Sequence, residues 1–272
     1  MIQALFFDLD GTLLSSRKTL LPSTRDALRK CREEGIRVFL ATARSPMLDK
    51  MLGWTEEEFA LFEGGIYCNG ACTKIGESTE YAFIEPAVVR FCLEQVALCK
   101  DVHVGMHLQH EVHAFNHFLP DSMLDPWGLN REEITEINES YHHCTVKILI
   151  YYDNLVGATK VLPPELFRKL KAQCTDRANI YLTDQDKTIQ VVAKDISKLV
   201  AIERVRNILG FSPDEVAVFG DDVNDMEMLS HYRNSVAMGN AEDQVKRISS
   251  YTTMTNDDDG IAYALKEILH CI

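Results

Sequence analysis

The sequence predicts an α/β protein: a Rossmann-like core with a parallel sheet, interrupted by an inserted α+β domain. Three observations carry this expectation. Short apolar runs at residues 4–7, 36–41 and 216–219 each end in a polar cluster, which is how buried parallel strands read. A stretch of helical period separates the first two, making a strand–helix–strand unit. Between residues 85 and 188 the pattern changes, and it resumes afterwards. The expected division is therefore a core of residues 1–84 and 189–272 with an insert of residues 85–188.

Each element has a local reason. Ala4 to Phe7 is a buried strand that ends where Asp8 and Asp10 begin. Pro22-Ser23-Thr24 opens a helix that Ser23 or Thr24 can cap, with Ala27, Leu28 and Cys31 at helical spacing and Gly35 closing it. Ile36 to Ala41 is the next strand, ending at Thr42-Ala43-Arg44. Thr42 suits an N-cap for a helix over residues 46–52, and also a phosphate ligand, since helix N-termini bind anions. Ile66 to Cys68 is a strand before the turn Asn69-Gly70-Ala71. The insert holds a helix over 86–98, strands near 102–106, 112–118 and 145–152, a polar stretch over 120–138 and a helix over 164–174. After a strand at 188–192, Ser197 opens a helix that Gly210 ends. Val216 to Phe219 delivers Gly220-Asp221-Asp222-Val223-Asn224-Asp225, a helix begins at Met226, residues 235–238 form a last strand, and Gly260 starts the final helix.

Composition narrows the function. The chain has 272 residues, 46% hydrophobic and 25% charged, ordinary for a globular protein. Its 28 basic and 41 acidic residues give a net charge of −13, which argues against nucleic acid or an anionic membrane as partner. No apolar run approaches the roughly 20 residues of a membrane span. The chain enters a strand at once, without a basic leader. The eight cysteines form no Cys-x-x-Cys, so free thiols in a reducing cytoplasm are expected.

The polar clusters carry the chemistry. In open α/β sheets ligands bind beyond the carboxyl ends of the strands, where Asp8, Asp10, Thr42, Asp221, Asn224 and Asp225 fall. Lys198 starts a nearby helix and alone reads as a solvated lysine. Two close carboxylates repel. Crowding Asp221, Asp222 and Asp225 at one strand end, together with Asp8, makes a hard oxygen site of the kind Mg²⁺ prefers.

The order and spacing of these clusters resemble the haloacid dehalogenase (HAD) superfamily over the whole chain, and more narrowly its Cof-type phosphatase subfamily with a large inserted α/β cap (type C2B). The strings that carry the likeness are Asp8-Leu-Asp-Gly-Thr-Leu, Ala41-Thr-Ala-Arg, Asn69-Gly-Ala, Lys198, Gly220-Asp-Asp-Val-Asn-Asp-Met-Glu-Met-Leu, Ala237-Met-Gly-Asn-Ala and Asn256 to Gly260. Ala43 and Leu199 stand where that subfamily commonly has Gly. The resemblance implies a Mg²⁺-dependent phosphohydrolase of small phosphorylated metabolites, most plausibly sugar phosphates. It implies Asp8 as nucleophile, Asp10 as acid and base, and Thr42, Ala43, Arg44, Lys198 and Asn224 at the phosphate. It implies a metal held by Asp8, Asp10 (through its carbonyl), Asp221 and, through water, Asp225. A phosphomutase on the same scaffold, a phospho-receiver and a silent metabolite-binding regulator stay open beside it. So does the choice between monomer and homodimer.

Five histidines cluster at 103, 107, 110, 113 and 117. Strand alternation puts His103 and His107 on one face, His113 and His117 on one face of the next strand, and His110 in the turn. An exposed or substrate-lining face is expected rather than a zinc site, since no Cys or His-x-Glu signature accompanies them.

Overall fold

The computed structural model describes residues 1–152 and 160–272. In chain order its elements are β1 (Ala4–Phe7), α1 (Pro22–Glu33), β2 (Arg37–Ala41), α2 (Leu48–Leu52), α3 (Glu56–Phe59), β3 (Gly64–Tyr67), β4 (Cys72–Ile75) and β5 (Ser78–Tyr81). Then come α4 (Pro86–Val96), β6 (Val102–Leu108), β7 (His113–Phe115), α5 (Leu124–Trp127), β8 (Ile134–Glu136), β9 (Thr145–Tyr152), α6 (Pro164–Cys174), β10 (Ala178–Thr183) and β11 (Thr188–Ala193). The last are α7 (Lys198–Leu209), β12 (Val216–Gly220), α8 (Met226–His231), β13 (Asn234–Ala237), α9 (Asp243–Ile248), β14 (Tyr251–Thr252) and α10 (Gly260–Tyr263). Contacts divide the chain into two compact units. One holds Met1–Ala43, Trp54–Thr79 and Ser197–Ile272; the other holds Arg44–Gly53 and Glu80–Ile196.

In the first unit the parallel strands lie in the order β14-β13-β12-β1-β2-β3, and β4 and β5 extend the sheet. The chain steps outward from β1 in one direction and returns to its other side. That reversal falls between β1 and β12, the place where doubly wound sheets bind ligands. Both strands are fully buried, and the sheet is stiffened by ring stacking of Phe6 on Phe39 and Phe7 on Phe219, at 4.9 and 4.4 Å between centroids. On one face Phe6, Phe39 and Val218 pack with Ala201, Ile202 and Val205 of α7 and Met228 and Leu229 of α8. This packing fixes where α7 begins, and hence where Lys198 sits.

The second unit is a six-stranded sheet of order β10-β11-β9-β6-β7-β8, antiparallel except where β7 meets β8. Val88, Val89, Cys92 and Val96 of α4 and Leu166, Leu170 and Cys174 of α6 pack in one cluster with Val104, Met106, Ile148, Ile150, Ile189 and Val191 of the sheet.

Several local expectations change. Strand β11 pairs with β9 and β10, so the unit boundary falls at residues 196/197 rather than 188/189. Helix α1 starts from Leu21 with Pro22 in its first turn and no side-chain cap. Ser23 instead donates to Asp259. Thr42 is not the N-cap of α2, which starts only at Leu48, after Met47. The strand expected over 112–118 shortens to β7, because Asn116 turns its side chain to the backbone: its Oδ1 accepts the Val104 N–H at 2.8 Å. The stretch read as polar over 120–138 contains α5 and β8, and β10 follows α6 where no element was expected.

The histidine expectation is corrected for two of the five. His107 and His113 face each other across β6 and β7, are 5% and 1% exposed, and pack edge to face on Trp127 of α5. His113 Nδ1 lies 3.0 Å from the Glu111 carbonyl, so it must carry the proton. Burial pushes the His113 ring down to about 4 and His107 well below its ordinary value, with the neighbouring His113 and Lys147 adding to that.

Both rings stay neutral in the folded chain, while an unfolded chain protonates them near pH 6.5. The unfolded state thus binds more protons below that pH. The stabilisation is complete above pH 6.5 and lost as pH falls towards 4. His113 alone contributes about 3 kcal/mol of it. Denaturant midpoints measured from pH 7 to pH 4 fall more steeply for the natural chain than for His113→Phe; equal slopes contradict the account.

Candidate active site

The site is assembled from four strand ends and one helix start of the first unit. After β1 the backbone runs Asp8-Leu9-Asp10-Gly11 and turns. Gly11 sits at φ 83°, and a Cβ there would lie 2.3 Å from an Asp221 carboxylate oxygen. Only glycine serves both demands. Thr12 donates its hydroxyl to Asp221 Oδ1 at 2.7 Å. Asn240 Nδ2 and Asn256 Nδ2 hold the same loop by donating to the carbonyls of Gly11 and Leu14, at 2.8 and 2.7 Å. The strings 237–241 and 256–260 therefore brace the first motif.

Lys198 is the centre of the cluster. Its Nζ donates to Asp8 Oδ1 at 2.5 Å and to Asp225 Oδ1 at 2.7 Å, and its side chain is fully buried. The solvated reading of this lysine is thereby replaced. Asp225 uses its other oxygen to accept the N–H groups of Asp221 and Asp222, at 3.0 and 3.2 Å. It thus sets the loop that carries Asp221. Candidate ligand atoms of Asp8, Asp221 and Asp225 lie within 4.8 Å of one another.

The electrostatics are those of a charge-deficient site. Burial, with Asp225 and Asp10 adding repulsion, raises Asp8 to about 7 despite the lysine. Burial and the Asp8 and Asp225 charges raise Asp221 well above its ordinary value, against the Thr12 hydrogen bond. Burial disfavours the Lys198 ammonium, but Asp225 and Asp8 more than offset this and raise its pKa. Three carboxylates against one ammonium leave two negative charges unmatched when all are ionised. A divalent cation with oxygen preference fits that donor set.

The other expected residues fall as follows. Asp10 is partly exposed, and Lys18 Nζ pairs with its Oδ1 at 2.7 Å; the sequence reading missed this lysine. Thr42 is buried at the end of β2, its N–H bonded to the Ile66 carbonyl and its carbonyl accepting from the Asn69 N–H. Ala43 follows it in the same unit, whereas Arg44 opens the segment grouped with the second unit. Asn224 is buried and donates Nδ2 to Asn69 Oδ1 at 2.9 Å. The Asn-Gly turn signal and the Asn69-Gly-Ala string pointed to Asn69, but neither assigned it a role.

The chain is similar to known proteins over nearly its whole length. The family model for haloacid dehalogenase-like hydrolases matches residues 5–265. A putative phosphatase of Haemophilus influenzae is 26% identical over 276 residues, covering 98% of each chain. A 5-amino-6-(5-phospho-D-ribitylamino)uracil phosphatase of Bacillus subtilis, YcsE, is 29% identical, covering 97% of this chain and 95% of its own. Among solved structures, the HAD subclass IIB sugar phosphatase BT4131 superimposes with a TM-score of 0.81 at 25% identity, covering 99% of this chain and all of its own.

Two substitutions should move stability in opposite directions. In EDTA, Lys198→Met leaves two buried carboxylates without their cation and costs about 3–5 kcal/mol, read from denaturant unfolding. Asp221→Asn keeps an acceptor for Thr12 but removes one repelling charge, so the metal-free chain should unfold later than the natural one. A fall in both variants would contradict the charge balance drawn here.

Proposed function

The chain belongs to the haloacid dehalogenase-like hydrolase family, and from that premise we propose that it is a Mg²⁺-dependent phosphomonoester hydrolase of small phosphorylated metabolites, working through an aspartyl-phosphate. The observation that carries this reading is the buried Asp8–Lys198–Asp225 network at the switch point of the sheet. Its polarity suits a transferring phosphoryl group: a nucleophilic oxygen, an adjacent fixed ammonium and an unmatched charge that a divalent cation balances.

Asp8 attacks phosphorus, with Lys198 holding its carboxylate and offsetting charge as the phosphoryl group approaches. Asp10 gives its proton to the leaving alcohol, then takes one from the water that attacks the aspartyl-phosphate. Its exposure lets Lys18 be displaced when substrate arrives. The Thr42 hydroxyl and the Asn224 amide are the donors assigned to the phosphoryl oxygens, and Ala43 and Arg44, next to Thr42 in sequence, are assigned to substrate binding. Mg²⁺ would be held by Asp8, Asp221 and the Asp10 carbonyl, and through water by Asp225, and it supplies charge neutralisation at the transferring oxygens when bound.

Sugar phosphates are the favoured substrates. The support is the likeness to a sugar phosphatase at full coverage, together with relatives named for phosphorylated small molecules, a ribitylamino-uracil phosphate in Bacillus subtilis and pyridoxal phosphate in Escherichia coli. Among the described residues no helix is long and apolar enough to cross a membrane, and the free thiols at Cys31, Cys92 and Cys174 suit a reducing cytoplasm.

Phosphate release from a panel of sugar phosphates, nucleotides and an aryl phosphate tests the reading. Release should need Mg²⁺, stop with EDTA and fall at least about a thousandfold in Asp10→Asn for alcohol leaving groups, with a smaller loss for the aryl phosphate, whose leaving group needs no proton. Turnover indifferent to EDTA would refute the metal assignment.

A further inference from the structure

Residues 68–70 form a turn between β3 and β4 whose backbone is unusual. Cys68, Asn69 and Gly70 all have positive φ, at 52°, 56° and 100°. Two consecutive non-glycine residues in this region are disfavoured and persist only where the surroundings fix them. Here the surroundings are the site itself. The Asn69 N–H donates to the Thr42 carbonyl at 3.1 Å. Its side-chain Oδ1 accepts the Asn224 amide at 2.9 Å, both residues being buried. Gly70 presses on the start of α7, where a Cβ would lie 2.3 Å from the Ser197 carbonyl oxygen, one residue before Lys198. One turn thus touches the neighbours or the backbone of three separate groups at the site.

We propose that Asn69 is a positioning residue for phosphoryl binding. It acts by fixing which end of the Asn224 amide is presented and by holding the Thr42 carbonyl, and it does not itself take part in bond making. An asparagine amide can rotate to offer oxygen or nitrogen. Because Asn224 Nδ2 is spent on Asn69 at one hydrogen, its second N–H keeps a defined direction and its oxygen faces away from Asn69. Asparagine is also among the few side chains that tolerate the left-handed backbone, so the same residue answers the conformation and the hydrogen bond. This inference rests on the phosphatase reading for the identity of the ligand.

The test uses Asn69→Gly, which keeps the left-handed backbone and deletes only the side chain, together with Asn224→Ala and the double variant. With an aryl phosphate and Mg²⁺, Asn69→Gly should raise KM and the inhibition constant of inorganic phosphate together by about tenfold, with thermal melting within a few degrees of the natural chain. In the Asn224→Ala background the same change should add less than about twofold. Full multiplication of the two effects, or unchanged KM and phosphate inhibition in folded Asn69→Gly, overturns the proposal. If the natural chain turns over no phosphate ester, the phosphatase reading fails separately, and calorimetric binding of inorganic phosphate decides: a tenfold weaker site in Asn69→Gly supports the inference, and equal or absent binding overturns it.

Discussion

A lysine ammonium with no exposed side-chain surface can exist only beside carboxylates, and Lys198 lies between Asp8 and Asp225. Taking the charges out of water costs several kcal/mol per ion, and the pairing returns it only with short, well-directed hydrogen bonds. That requirement ties together parts of the chain 190 and 27 residues apart. It holds only if β1, the start of α7 and the loop after β12 are in register. The register is set by apolar packing of α7 and α8 on one face of the parallel sheet. The polar braces from Asn240 and Asn256 complete it. The chemistry at the site is therefore a property of the whole first unit.

The arrangement also separates structural from reactive carboxylates. Asp225 has one oxygen on Lys198 and the other on two backbone N–H groups, which makes it a brace. The Asp221 carboxylate accepts from Thr12 and is pressed by its charged neighbours, so it gains from an added cation. Asp8 shares the lysine, and burial together with the Asp225 and Asp10 charges raises it to about 7. Asp10 is partly exposed and pairs with Lys18.

Much of this was legible before any coordinates. Strands buried on both faces read as unbroken apolar runs, so the ends of β1, β2 and β12 and the polar groups placed there were visible. What periodicity could not show were consequences of distant pairing. Lys198 looks solvated on its own helix, and only its pairing with Asp8 and Asp225, 190 and 27 residues away, makes burial tolerable. Asn69 gives a turn signal, but its bond to Asn224 depends on two loops meeting. Alternation put His107 and His113 on the expected strands. It could not reveal that Trp127, on a single short helical turn inside a stretch read as polar, covers them. Strand β10 escaped because it was not separated from the segment before β11, and with it the boundary near residue 196.

The claim on which the account turns is that Asp8 is the group that accepts the phosphoryl. Rapid acid quenching of the chain during turnover of an aryl phosphate, followed by borohydride reduction and peptide mass mapping, tests it directly. The account predicts one modified residue, Asp8, converted to homoserine by reduction of its acyl phosphate, and no modification in Asp8→Asn. A phosphoryl group found on another side chain, or undiminished turnover in Asp8→Asn, would contradict it.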